Sequence, residues 1–530
     1  MIYPNNFEQK IGFNDIRSLL HERCLSTLGR EQVDSMEFSI DTLQINRWLT
    51  EVREFRNIQE GLEPFPLDNV FDVRASVARI RLEGTYMEED ELFDLKRSLE
   101  TIIAVVKFLS VGEELPNGEI QHTYPALYAL SDGVATFPIL VQRISQIIDK
   151  FGKMRDSASS DLLQIRRELA RVESSISRTL NSILHSAQNE GVVERDVTPT
   201  MRDGRLVIPV APGMKRKISG IVHDESATGK TVFIEPTEVV EANNKVRELE
   251  NEERKEIIRI LREFAKQVRP YVHEILDSYH FLALIDFIRA KAELARMLKA
   301  IEPEVKSEPH IDFIRAIHPL LQLALAKKQH STINNDKPDV VIPLDIQLTI
   351  DKHLLIISGP NAGGKSVCLK TVGLLQYMLQ CGISIPVSER STAGTFQNLM
   401  IDIGDEQSIE QNLSSFSGHV KKIKEIMEEA NSSSLVLMDE LGSGTDPMEG
   451  AAFAMAIIDY LNGKNIKSII TTHYSEVKAY AFNTTGIKSA SMEFNVETLS
   501  PTYRLLEGIP GESNALIIAG KYGISEQIIN

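Results

Sequence analysis

Cysteine is scarce in this chain: three residues in 530, Cys24, Cys368 and Cys381, with no C-x-x-C pair among them. An odd and scattered set argues against a disulfide framework and against a zinc knuckle, and a reducing cytoplasm suits it best. Long apolar runs are missing too. No stretch of 18 apolar residues occurs, and the opening Met1–Lys10 has no basic segment leading into an apolar one, so neither secretion nor membrane insertion is expected. Positive charge is in deficit: 58 Lys and Arg against 75 Asp and Glu leave −17. That balance speaks against a surface coated in basic residues for nucleic acid, so any such site must be local. The rest is ordinary. With 42% hydrophobic and 25% charged residues, a wholly disordered chain and a collagen-like repeat are excluded. At ~150 residues per domain the length predicts three or four domains.

The first 300 residues read as helical. From Phe7 to about Ser110 the apolar periodicity is broken by short punctuators such as Gly61-Leu-Glu-Pro-Phe-Pro66 and the loop at Pro116-Asn-Gly118, which predicts a small α-rich domain. The sole tryptophan, Trp48, is expected to anchor the core of one of its helices. Between Val141 and Ala187, residues Ile165, Leu169, Val172, Ile176, Leu180, Ile183 and Ala187 recur at steps of three and four. This pattern predicts one long amphipathic helix, about 70 Å if continuous. A second stripe from Ile257 to Leu282 has the same spacing, with Pro270 expected to kink it near Arg269. Two arms of similar length imply an antiparallel pair. Lys245–Glu256 holds nine charged residues in twelve and reads as a solvated helix face.

The segment joining the arms differs in kind. Arg205–Val210, Lys217–His223 and Thr231–Pro236 are β-like runs parted by Gly213, Gly220 and Gly229, which predicts a small sheet at the tip of a lever. From Thr198 to Lys230, Arg202, Arg205, Lys215, Arg216, Lys217 and Lys230 outnumber Asp203, Asp224 and Glu225. This local excess of positive charge fits a grip on a phosphate backbone, and it equally fits a solvated hairpin with ordinary basic side chains.

After the apolar run Leu354–Ser358 comes Gly359-Pro360-Asn361-Ala362-Gly363-Gly364-Lys365-Ser366, followed by a helical stretch to Gln380. This is G-x-x-x-x-G-K-S between a strand and a helix, the setting it requires. Its glycines let backbone N–H groups turn toward the phosphates of ATP, Lys365 supplies positive charge, and the Ser366 hydroxyl is a ligand for Mg²⁺. Further on, Leu435–Met438 reads as a buried parallel strand ending in Asp439 and Glu440. Two acids are out of place at the end of such a strand unless they serve the chemistry. Asp439 is assigned to the Mg²⁺ shell, and Glu440 is assigned as general base for the attacking water. Ser468–Thr472 is another apolar strand, ending in His473. Its place at the carboxyl end of a strand favours a γ-phosphate contact over a structural role. Asp402–His419 is too rich in small polar residues for a core and reads as a second nucleotide contact. Leu441–Pro447 suits either a loop crossing to a partner subunit or a plain strand-to-helix connection.

Taken together, Gly359–Ser366, Asp402–His419, Met438–Asp446, Thr471–Tyr474 and Arg504–Ala515 resemble the MutS family of ATPases, in particular its second bacterial subfamily, the MutS-two endonucleases; Gly204–Pro236 resembles that subfamily's clamp. The resemblance spans nearly the whole chain. It implies a multidomain α plus α/β protein: an N-terminal helical domain (1–115), core and lever helices (116–305) with a clamp tip at about 195–237, and an ABC-type P-loop ATPase domain (306–530). It also implies a homodimer in which each nucleotide is closed over by the partner's signature segment, carried here onto Ser414, Ser415, Phe416, Ser417 and Gly418. ATP binding would drive the clamps to open and close on double-stranded or branched DNA, restraining recombination in a nucleoid-associated cytoplasmic protein.

Family members that sense mismatches carry an extra N-terminal domain with a Phe-x-Glu reader, whereas this chain opens with Phe7-Glu8-Gln9, so mismatch reading is not expected. The subfamily usually continues into a small nuclease domain. No remnant of it is found up to Asn530, so the chain is expected to be part of a longer protein, with nuclease activity outside these residues. Two alternatives stay open: an ATPase acting on collided ribosomes or structured RNA, and an ATP-binding docking scaffold with negligible turnover. His318-Pro-Leu-Leu321 resembles the family's approach to the ATPase domain and is a weak candidate for touching the base.

Overall fold

A computed structural model of the chain describes residues 1–202, 204–331, 340–359, 363–404, 415–495 and 500–508. The fold is mixed α and α/β, in two compact units that do not follow chain order: Met1–Phe65, Phe108–Asp132 and Phe281–Asn530 form one, and Pro66–Lys107 with Gly133–His280 form the other. The expected boundaries at 115 and 305 do not coincide with these. The difference arises in the P-loop helix, Lys365–Gln380, whose residues from Cys368 onward are almost all buried. A helix that is apolar all round needs cover on every side, and the N-terminal helices provide it. The Tyr377 ring meets Phe13 edge-on at 4.6 Å and Phe7 at 5.3 Å, and its hydroxyl donates to Glu8 Oε1 at 2.6 Å.

The first unit is built on a seven-stranded sheet in the order Ile2–Tyr3, Asn398–Asp402, Ser434–Met438, Lys467–Thr471, Leu354–Ser358, Ile487–Asn495, Ser500–Glu507. All neighbours are parallel except the last pair. The central strands are buried throughout, as the sequence's unbroken apolar runs predict for a sheet covered on both faces. Ile356, Val436 and Ile470 pack with Ile457, Ile458 and Leu461 of the helix Pro447–Gly463; each such side chain contributes about 1.5–3 kcal/mol by leaving water. The registers Leu354 with Ser468 and Leu435 with Lys467 bring the carboxyl ends of three strands level. The P-loop, the acid pair and His473 follow those ends. Trp48 departs from expectation. It is only half-buried, because one side lines a cavity; on another, Gly382, at φ +67°, lies so close that a Cβ there would meet the Trp48 side chain.

The second unit carries the arms. The single long helix expected from Val141 to Ala187 is in fact two, Pro138–Ile147 and Ser160–Asn189. The break has local causes: Asp149 Oδ1 accepts from the backbone of Phe151 and Lys153 at 2.8 and 2.9 Å, Gly152 takes φ +82°, and Ser159 caps the next helix through Leu162 N at 3.0 Å. The first arm is therefore 30 residues, about 45 Å long. The returning helix Thr237–Val268 gives way at Arg269–Tyr271 to a 3₁₀ turn at Pro270 and resumes at Val272, where the kink was expected. The pair is antiparallel: Ser159 bonds Glu256 at 2.6 Å and Arg166 bonds Glu253 at 2.7 Å, while Leu184 and Ala187 share a core with Val239 and Val246. Between the arms sits a four-stranded antiparallel sheet, Thr200–Arg202, Arg205–Val210, Val232–Pro236 and Gly220–Glu225. Its first strand was not foreseen.

Candidate functional site

Gly359 adopts φ +132° and Gly364 φ +90°. A Cβ on Gly364 would lie 2.8 Å from the Tyr503 ring, so glycine is required there by backbone and neighbour alike. Lys365 follows as the first helical residue and is 1% exposed. Its Nζ donates to the Gly359 carbonyl at 2.6 Å and to His473 Nδ1 at 3.2 Å. An ammonium has only donors, so Nδ1 accepts, and the imidazole proton resides on Nε2. That Nε2–H in turn donates to Glu440 Oε1 at 3.1 Å. Lysine, histidine and glutamate thus form one hydrogen-bonded chain at the sheet's carboxyl edge. Burial pushes the Lys365 ammonium down to about 8, against the opposing pull of Glu440 and Asp439. Buried positive charge at a helix N-terminus calls for an anion.

The two acids are held by a residue that sequence reasoning passed over. The Thr471 hydroxyl donates to Asp439 Oδ1 at 2.5 Å and accepts from the Glu440 backbone N–H at 2.7 Å. Glu440 itself sits at φ +51°, an uncommon conformation for a non-glycine residue. One threonine hydroxyl therefore orients one carboxylate and fixes the peptide of the next. The signal in sequence was only a threonine two residues before His473.

Of the expected nucleotide contacts, Gly359, Gly363, Gly364, Lys365 and Ser366 are brought together with Asp439, Glu440 and His473; Pro360, Asn361 and Ala362 lie outside the described residues. Among the described residues no group of three or more His, Cys, Asp and Glu could hold a metal. The donors present, the Ser366 hydroxyl and the Asp439 carboxylate, suit Mg²⁺, which is usually held by one or two protein oxygens with phosphates and water completing the shell. Beside Gly364 opens a cavity of ≈ 440 Å³ lined by His318, Leu321, Val340, Ile342, Met492 and Tyr503, among others. Burial, then Lys370, pushes His318 down to about 4, so it presents a neutral ring. The weak candidate segment His318–Leu321 therefore lines a pocket beside the phosphate loop. Val340 and Tyr503 join it without any sequence signal.

In the signature segment, Ser414 lies outside the described residues, while Ser415 begins the helix Ser415–Glu429. Phe416 packs edge-on against Phe453 at 5.7 Å, and Ser417 and Gly418 are exposed. The helix is tied to the sheet where His419 Nδ1 meets Asp402 Oδ2 at 2.7 Å. The loop after Glu440 folds onto its own helix: Asp446 caps Met448 N at 2.9 Å, and Tyr474 Oη donates to Gly442 O at 2.8 Å.

The four-stranded sheet and its connections separate their basic residues into two kinds. Arg202, Lys215, Arg216, Lys217 and Lys230 are exposed, with Arg202 over the Phe233 ring at 4.3 Å. Arg205 is turned inward. It donates twice to the fully buried Glu235, at 2.7 and 2.8 Å, and to Asn244 at 2.8 Å, so its guanidinium is spent on the fold and is not available to a ligand. His223 and Asn243 complete the ring around Glu235 at 2.5 and 2.6 Å. Burial alone would raise the Glu235 carboxyl, but the bonds from Asn243, Arg205 and His223 outweigh it and hold the group below its ordinary value.

No helix among the described residues is long and apolar enough to cross a membrane. Comparison with known proteins gives consistent matches. The model of MutS domain V matches residues 355–530. The chain is 39% identical over 518 residues to the endonuclease MutS2 of Symbiobacterium thermophilum, and 41% identical over 518 residues to that of Fusobacterium nucleatum. Each match covers 98% of this chain. The chain spans 62% and 63% of those relatives' lengths, less than two thirds.

Proposed function

This chain belongs to the MutS family, and from that premise we propose that it is an ATP-hydrolysing clamp that works as a homodimer on double-stranded or branched DNA, restraining recombination. The observation that carries the proposal is the chain Lys365–His473–Glu440 beside Asp439 at the sheet's carboxyl edge, since an acid, a neutral imidazole and a buried ammonium converge where phosphates would lie. Phosphoryl transfer asks mainly for positioning and charge stabilisation. Loop N–H groups and Lys365 hold the phosphates of ATP. Glu440 orients a water and takes its proton as the water oxygen bonds the γ-phosphorus and the bond to the β,γ-bridging oxygen breaks. The His473 Nε2–H, freed when Glu440 turns to the water, donates to the γ-phosphate. Mg²⁺, held by Ser366 and Asp439, supplies charge neutralisation at the phosphates. The pocket of His318, Val340 and Tyr503 receives the base.

Support for nucleic acid comes from the five exposed cations on a small sheet and its connecting segments in a chain whose net charge is −17; against that background only a local patch attracts phosphate backbone. The exposed Ser417 and Gly418 are assigned to closing the partner's nucleotide. The test is steady-state ATPase activity with and without linear duplex, four-way-junction DNA and purified ribosomes, with oligomeric state followed in parallel. A junction-dependent change in a dimer is expected. A response confined to ribosomes moves the assignment to structured RNA, and absence of turnover with every partner leaves the docking scaffold.

A further inference from the structure

A second cavity, in the first unit, belongs to no part of the nucleotide site. It measures ≈ 340 Å³ and is lined by Met36, Glu37, Phe38, Trp48, Glu51, Phe287, Lys291 and Cys381, among others. Its volume falls in the range of small-molecule sites. Two buried charged groups stand in its wall. Lys291 is 4% exposed; its Nζ donates to the Cys381 carbonyl at 2.9 Å and lies over the rings of Phe287 and Trp48 at 4.4 and 5.5 Å. One protein acceptor for three N–H donors leaves the ammonium under-supplied. Glu51 is 2% exposed, and no described residue donates a hydrogen bond to its carboxyl. Its oxygens are not among the atoms sealed without a partner, so they face the cavity, where a donor brought by a ligand would meet them. Burial pushes the Glu51 carboxyl up to about 7, eased by Lys291 and then Arg47, and the Lys291 ammonium down to about 8, eased by Cys381 and then Glu51.

The missing partner must accept from an ammonium, donate to a carboxylate, and present flat faces to aromatic walls. Among common small molecules the Watson–Crick edge of guanine has this order: O6 accepts, and N1–H and N2–H donate side by side, matching the two oxygens of a carboxylate. Adenine offers one donor to the pair and leaves a carboxylate oxygen unmatched. The rim supplies Glu37 and, apart from Lys291 itself, no cation among the lining residues, so a phosphate is not provided for. We propose that this cavity binds guanine as the free base or nucleoside, with Glu51 reading N1–H and N2–H, Lys291 reading O6, and Trp48 against the ring. The proposal stands apart from the ATPase reading.

Trp48 is the chain's single tryptophan, so its fluorescence reports this cavity alone. The protein is titrated with guanosine, inosine, adenosine and GMP at saturating Mg-ATP. Saturable quenching by guanosine is expected, with affinity about tenfold weaker for inosine, which lacks the N2 donor, and weaker again for adenosine and GMP. Glu51→Gln and Lys291→Met should each cost about tenfold or more for guanosine, with an unchanged far-UV spectrum. No saturable response at millimolar guanosine, equal responses to guanosine and adenosine in the unaltered chain, or indifference to both substitutions overturns the proposal.

Discussion

The nucleotide site and the clamp sheet both bury charge, but they use it in opposite ways. At the phosphate loop the buried group, Lys365, is the one proposed to act, and its partners His473 and Glu440 are more than a third exposed, open to a substrate. In the clamp the buried group, Glu235, is an internal pin satisfied by Arg205, His223 and Asn243, while the cations available to a ligand lie outside it. On the proposed reading, function at the first site depends on a preset geometry of few groups, and at the second on net surface charge, to which no single side chain is essential. Substitutions should therefore act steeply and locally in one and gradually in the other.

The steepest effect is expected from Glu440→Gln, which removes the proton acceptor while keeping the shape. Steady-state ATPase should fall by about 10²–10⁴ with ATP affinity nearly unchanged; undiminished turnover would remove Glu440 from its role. Next comes Glu235→Ala. Breaking a buried ion pair costs about 3–5 kcal/mol, so hydrogen exchange should accelerate through residues 200–236 while basal ATPase persists. If protection there is unaltered, the pin is misread. Changing Lys215, Arg216 and Lys217 together to alanine should lower the slope of log K against log salt for DNA by about 2–3, at ~0.9 per lost phosphate contact, again with basal ATPase intact. A slope equal to the parent's would place the grip elsewhere.

Smaller effects separate the site's internal parts. Thr471→Val should lower kcat about tenfold through loss of aim, with KM held and Thr471→Ser restoring most of the rate; a KM effect alone would mean a binding role. The mildest concerns pH. Lys365 titrates at about 8 without nucleotide, below its ordinary value, so its charge is present below pH 8 and lost above it. Phosphate binding favours the charged form, so ATP affinity should weaken as pH rises through 8, by at most about tenfold per unit. Lys365→Arg, charged throughout, should abolish the slope, and a persistent slope would assign it to another group.

Legibility in the sequence followed the reach of the constraint. A loop that wraps phosphate with backbone N–H groups needs glycine at set places, and a parallel strand ending in two acids violates the ordinary composition of a core. Both were read from a few adjacent residues. The antiparallel arms were read from periodicity, though the stripe ran past a break that Asp149, Gly152 and Ser159 impose locally. The basic tip is legible as a composition, which counts charges without telling which way they face; Arg205 counts with the others there, and only the fold turns it onto Glu235. Thr471 and Tyr503 were missed because each acts through one atom or one ring brought close by the sheet.

The sequence by itself determined the phosphate loop, its acids, His473, the helical arms and the small sheet between them, because each arises from interactions between residues close in the chain or from a pattern of one element. Tertiary structure alone decided that Met1–Phe65 completes the unit that carries the phosphate loop, with Ile2 and Tyr3 pairing with Leu399 and Met400. It also decided that Trp48 and Lys291 share a cavity with Glu51, to which no described residue donates, and that Arg205 is bound to the buried Glu235. These outcomes depend on which apolar faces cover the all-round buried helix Lys365–Gln380, and on which carboxylate a cation meets when water is expelled. Both are set by contacts hundreds or tens of residues apart, for which a single chain's order carries no period.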